Sequence, residues 1–156
     1  MLSEIQVYLE RLSDRRAEIL KTLDGLDADA LDWKPLATDA NSLTVLAVHS
    51  LGAERRWLHE VVGGKKIQRD RDAEFRARAQ DVTALKAMYT AAAVESEQIL
   101  SQLSAEDMDA TRKLPHESRT VRWAILHIVE HYSEHLAQMW LTRQLLENRT
   151  NRPHEI

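Results

Sequence analysis

Three histidines, His127, His131 and His135, recur at every fourth residue within TVRWAILHIVEHYSEHLAQMWLTRQLLEN, residues 120–148. In a helix, four residues turn about 40° past a full circle and climb about 6 Å, so neighbours in this series can grip one metal ion. His127 and His135 lie about 12 Å apart along the axis and cannot share an ion unless the helix breaks. The stretch therefore offers one ligand pair, His127/His131 or His131/His135. Its apolar stripe (Val121, Ile125, Ile128, Tyr132, Leu136, Met139, Leu146) contains His135, has His131 at its edge and leaves His127 further out. A pair facing a core is then His131/His135. The competing reading is a helix with surface histidines, in a chain that has seven of them.

A third imidazole must come from another element. Leu43–Val62 reads as a second helix, with His49 on the flank of its apolar stripe near Leu46 and Ala53. His49 facing His131 and His135 would give three neutral imidazoles, a set suited to zinc, nickel, iron or copper with positions left open for water or substrate. An ion there could acidify water or a thiol, or polarise a carbonyl. Glu54 falls inside the same apolar stripe, where a carboxylate is costly without a partner. It could accept the second ring N–H of a ligating histidine or take a proton from bound water. It could equally pair with an arginine or reach solvent. His59 is expected on the exposed side of this helix.

The elements that must position these residues are helical. Ser3–Asp24 carries Ile5, Leu9, Leu12, Ile19, Leu20 and Leu23 at three- and four-residue spacings, and Asp24-Gly25 is its stop. Trp33 is expected to plug the end of a bundle, and Asn41 or Ser42 to cap the second helix. Gly63-Gly64 ends it. Residues 65–80 are charge-dense with one aromatic, Phe75, and read either as a mobile connector or as a short surface helix with Phe75 docked on the bundle. Residues 81–103 form the third helix, with Asp81 as a candidate cap. Residues 104–119 are a further connector, in which His116 is a weak candidate fourth ligand or substrate contact. Thr120 caps the last helix, and 149–156 is a polar tail whose His154 is a bystander. No stretch shows strand periodicity. Four amphipathic helices in one domain spanning 1–156 predict an all-α four-helix bundle.

Composition narrows the function. The chain has 156 residues, no cysteine and a net charge of −4. Any metal must use nitrogen and oxygen ligands, and an acidic chain argues against a general affinity for nucleic acid. No apolar run approaches the roughly 20 residues of a membrane span, and the N-terminus has no signal-peptide pattern. A soluble cytoplasmic protein is expected.

The segments LDWKP, NSLTVLAVH and TVRWAILHIVEHYSEHLAQ, in that order, resemble the DinB-like superfamily, also called YfiT-like metal-dependent hydrolases. The resemblance covers nearly the whole chain. It implies an up-down-down-up bundle, commonly a homodimer, with a divalent metal on His49, His131 and His135. It also implies a small-molecule substrate and, in the transferases and isomerases among the relatives, a low-molecular-weight thiol such as mycothiol or bacillithiol. Zinc or nickel is the expected metal, with iron after them. Leu136, Ala137 and Gln138 stand where relatives often carry an Arg-Gly-Gln run. Gln138 keeps the polar end and joins Glu54 as a candidate substrate-orienting or supporting group. The expected function is a metal-dependent enzyme of thiol-dependent S-transferase or hydrolase type. The alternative is a non-catalytic bundle that binds metal or a small ligand, or serves as an interaction protein.

Overall fold

The computed structural model describes residues 1–79 and 82–151, with side chains through Arg149. The expected cap Asp81 and the bystander His154 lie outside the described residues. The long elements are α1 (Ser3–Leu23), α3 (Leu43–Glu54), α5 (Val82–Leu100) and α7 (Val121–Asn151). Short elements join them: α2 (Ala28–Asp32), α4 (Arg71–Glu74), α6 (Ala105–Asp109) and a hairpin of β1 (Thr111–Lys113) and β2 (Ser118–Thr120). Among the described residues no helix is long and apolar enough to cross a membrane.

The helices begin and end where local chemistry dictates. Ser42 Oγ accepts the Val45 N–H at 3.2 Å and starts α3. Thr120 Oγ1 accepts the Trp123 N–H at 3.2 Å and starts α7. Gly25 at φ 75° follows α1 and Gly64 at φ 69° follows the second long helix, both in the left-handed region open to glycine. The 3.6-residue pattern then buries one face of α1, α5 and α7, with Leu12, Ile19, Tyr89, Ile125 and Ile128 inside, while α3 is buried nearly all round, Leu51 included.

Named contacts give the topology. Arg122 Nε donates to Glu4 Oε1 at 2.7 Å and Arg143 Nη1 to the Thr22 carbonyl at 2.8 Å, so α1 and α7 run parallel. Tyr89 Oη donates to the Ala47 carbonyl at 2.8 Å and Ser96 meets His59 further along, so α3 and α5 are parallel. Lys86 reaches Asp24 at 2.7 Å, and Trp57 meets Trp123 with ring centres 5.1 Å apart, so the two pairs are mutually antiparallel. This is the up-down-down-up order. Since α3 and α5 are consecutive and parallel, the chain between them must travel back along the bundle.

Two expectations are corrected. Residues 104–119 are not a bare connector. They hold α6, which Ser104 and Asp107 start with a reciprocal capping box, and the antiparallel hairpin in which Arg112 pairs with Arg119. His59 is not exposed: its side chain is fully buried. After Glu54 the second helix widens into a π-helical segment, Arg55–Val62, seen in the Gly63 N–H bonding back five residues to Leu58 at 3.0 Å. Each residue of a π turn advances less than the α-helical 100°, so His59 lags toward the face that Glu54 occupies.

At the centre, all four helices meet on one carboxylate. Glu54 accepts from Arg16 Nε of α1 at 3.1 Å and again from Arg16 Nη2, from the Ser96 hydroxyl of α5 and from Tyr132 Oη of α7. Because Ser96 donates to Glu54, it accepts from His59 Nε2–H at 2.9 Å. A Glu95 carboxylate oxygen lies 3.0 Å from the other ring nitrogen, outside hydrogen-bond geometry. Burial alone would raise the Glu54 carboxyl; the hydrogen bonds and charge of Arg16, with Ser96 and Tyr132, outweigh it and hold the group below the ordinary value. Replacing Glu54 by Gln strands a buried guanidinium, and the expected loss is about 3–5 kcal/mol of unfolding free energy, read by urea denaturation. The sign of the pH effect follows from the depressed pKa. The unfolded chain takes up this proton first, so the contribution is whole above the ordinary 4.5 and fades as pH falls below it. The Glu54→Gln variant should lack that part of the acid slope.

Candidate metal centre

His49 lies two turns into α3, and His131 and His135 one turn apart on α7. The antiparallel crossing of these helices brings them together. One ring nitrogen from each lies within 4.8 Å of the others. Ring centres are 5.0 Å apart for His49 and His131, 5.1 Å for His49 and His135, and 4.4 Å for His131 and His135. His127 leaves the series. It stacks on Trp123 at 4.8 Å and 10°, with Trp57 edge-on at 5.2 Å. Arg119 covers Trp123 at 4.6 Å. His116 is exposed in the hairpin loop and belongs to no metal-capable cluster among the described residues.

The acceptor behind His49 is Glu74, not Glu54. His49 Nδ1 lies 3.0 Å from Glu74 Oε2. A carboxylate only accepts, so Nδ1 carries the proton and Nε2 is left bare toward the other two rings. Arg69 grips the same carboxylate with two parallel bonds, Nε to Oε1 at 2.6 Å and Nη2 to Oε2 at 2.7 Å. The connector carrying Arg69 and Glu74 passes here because it must return along α3. Asp70 caps α4 through the Ala73 N–H at 2.9 Å and turns Glu74 inward. Gly52 gives it room: a Cβ at residue 52 would meet Glu74 Cδ at 2.6 Å and Oε1 closer still. Phe75 packs on the His49 ring with centres 4.6 Å apart.

His135 Nδ1 donates to Gln138 Oε1 at 3.0 Å, on the outer side of the helix. His131 Nδ1 is buried with no hydrogen-bond partner. Burial first, and then the neighbouring His135, His49 and His127, push the His131 imidazole down to about 3. Burial also lowers His49, against the pull of Glu74. Both rings are neutral at neutral pH. A tight cluster of imidazoles with an orphaned buried nitrogen and a carboxylate-anchored outer edge is a donor set that could hold a divalent transition-metal ion. Glu54, by contrast, is fully occupied in the core by Arg16, Ser96 and Tyr132. Of the open alternatives for Glu54, pairing with an arginine is the one observed.

The sequence reading missed Glu74, Arg69 and Gly52. A signal existed: two parallel consecutive helices force their connector alongside the first, and RDRDAEF holds an acid beside a lone aromatic.

Solved structures share this fold at low identity. A conserved protein from Enterococcus faecalis superposes with TM-score 0.76 at 13% identity, over 95% of this chain and 99% of that one. YfiT from Bacillus subtilis, described as a probable metal-dependent hydrolase with an unusual four-helix bundle topology, gives 0.71 at 15%, over 98% and 91%. A DinB-like protein from Bacillus cereus gives 0.68 at 17%, over 92% and 91%. Comparison with curated proteins gives no match. The family model of mycothiol-S-transferases matches residues 8–148. By that match over nearly its full length, the chain belongs to the mycothiol-S-transferase family.

Proposed function

We propose that this chain is a metal-dependent S-transferase that joins a low-molecular-weight thiol to an electrophilic small molecule. The observation that carries the reading is the meeting of His49, His131 and His135, with nitrogens within 4.8 Å, in a member of a thiol-transferase family. The three imidazoles would hold a divalent ion, zinc or nickel first and iron after them. Such an ion supplies a Lewis acid that favours the deprotonated form of a bound thiol or water near neutral pH. Glu74 fixes the His49 ring by accepting its Nδ1 proton, and Arg69 fixes Glu74. Phe75 shields the His49 side from water. Gln138 holds the His135 ring through Nδ1 and has its amide nitrogen free to meet substrate. The homodimer expected from the resemblance belongs to the same proposal.

The second reading is hydrolysis, favoured by the description of YfiT. Consumption of the thiol separates the two: a transferase loses one thiol per turnover, and a hydrolase none. A bundle without catalytic role would show metal but no change in the visible spectrum of its cobalt form when thiol is added.

Elemental analysis of untagged protein is expected to find about one transition metal per chain, lost in His131→Ala and His135→Ala. Absence of metal in the wild type, with none taken up on titration, would remove the proposal. In Gly52→Ala the added methyl pushes the Glu74 carboxylate off His49. Metal affinity should fall by about 10–100-fold while the unfolding midpoint of the metal-free protein barely moves. In the metal-free protein, stability should decline as pH falls from 6.5 toward about 3, since the unfolded chain protonates before the folded His131. Chemical denaturation at pH 7 and pH 5 of wild type and His131→Ala checks the sign.

A further inference from the structure

A cleft lies one helical turn from the triad, between the 33–41 segment and the last third of α7. Its near lobe, about 250 Å³, is walled by Ala40, Asn41, Leu46, Gln138, Leu141 and Thr142, with Asp39 at the rim. Leu46 precedes His49 by three residues and Gln138 follows His135 by three. On both helices the lobe is therefore displaced from the triad by about 4.5 Å along the axis. Gln138 belongs to both, since its oxygen holds His135 while its side chain lines the lobe. Pro35 and Leu145 also line a far lobe of about 300 Å³, which ends at Trp33 and Arg149. The Arg149 guanidinium rests on the Trp33 ring, 5.2 Å from its centre. Leu141 and Leu145 are left 57% and 41% exposed on the cleft wall, an apolar surface that no other described residue covers.

The chemistry of the lining is graded. The near lobe offers acceptors and amides from Asp39, Asn41 and Gln138, a hydroxyl from Thr142 and, among the described residues, no cation. The cation stands at the far end. From Gln138 to Arg149 the helix rises about 16 Å. We infer that this cleft binds a reactant of the triad: an extended small molecule with an apolar body, hydrogen-bond donors in its middle and an anionic group at the end away from the reaction. The inference rests on the triad being the reaction centre, as argued above. A guanidinium backed by an indole keeps its planar fork of donors for an anion, and the leucines supply the apolar contact usual in small-molecule sites.

Two fluorescent probes test it on the full chain. One is 8-anilinonaphthalene-1-sulfonate, which has an apolar body, an N–H donor and an anion. The other is N-phenyl-1-naphthylamine, the same body without the sulfonate. Both are expected to bind the wild type. Arg149→Ala should weaken the sulfonate about tenfold and leave the neutral probe unchanged. Ala40→Trp, which fills the near lobe, should weaken both. Should that variant fail to fold, Leu141→Asp, at an exposed position, should weaken both and the sulfonate more. His131→Ala should leave both affinities unchanged, so that cleft binding and the metal proposal fail independently. No binding by the wild type overturns the inference. So does equal loss of both probes in Arg149→Ala, or affinity unmoved by Ala40→Trp and by Leu141→Asp.

Discussion

The Glu54 carboxylate is the point on which the bundle is registered. It sits in the dry centre and takes donors from Arg16, Ser96 and Tyr132, one from each of the other three long helices. Hydrophobic contacts alone tolerate a slide or a rotation of one helix against another; a buried charge with three directed partners does not. The consequence for the three-histidine cluster is direct. Tyr132 is pinned inward on Glu54, which fixes the rotation of α7 about its own axis. His131, next in the chain, and His135, three residues on, are thereby aimed at α3 rather than at solvent. The same carboxylate lies five residues from His49 and fixes that helix too.

The π-helical segment lets one helix serve two purposes. Through Glu54 the second helix keeps α-helical phase, which points His49 to the triad and Glu54 to the core. Beyond it, the wider turn changes phase. Trp57 is delivered to the aromatic group with Trp123 and His127, and His59 to Ser96. A regular α helix over the whole of Leu43–Val62 would send His59 to water. The cost of a π turn is met here by the buried imidazole contact and by Trp57.

What could be read from the sequence was what repeats. Apolar periodicity marked the four long helices, and the caps at Ser42 and Thr120 fell where polar residues precede apolar runs. The i,i+4 spacing named His131 and His135, and the α7 stripe separated them from His127. What could not be read was phase and distance along the chain. Glu54 was visible as an anomaly on an apolar face. Its partner Arg16, 38 residues earlier on a helix with no chemical mark, was not. His59 was misplaced because a wheel assumes constant pitch. Glu74 lay in a connector without period, and its contact with His49 crosses 25 residues. The hairpin is three residues on each side, too short for alternation to show. The Ser104–Asp107 capping box was legible in principle and went unread.

The route of the connector over residues 63–79 has an evolutionary consequence. The three imidazoles are built into helices whose every turn is fixed by core packing, so substitutions near them are felt throughout the bundle. The group that tunes one of those imidazoles comes instead from a segment that only lies against the bundle's side. Exchanging Glu74 or Arg69 for other residues, or changing the length of that segment, would alter the basicity of His49 without asking the core to repack. A scaffold arranged in this way can change the surroundings of its histidine cluster while its architecture stays constant. That is one physical route by which proteins of 13–17% identity can keep one fold.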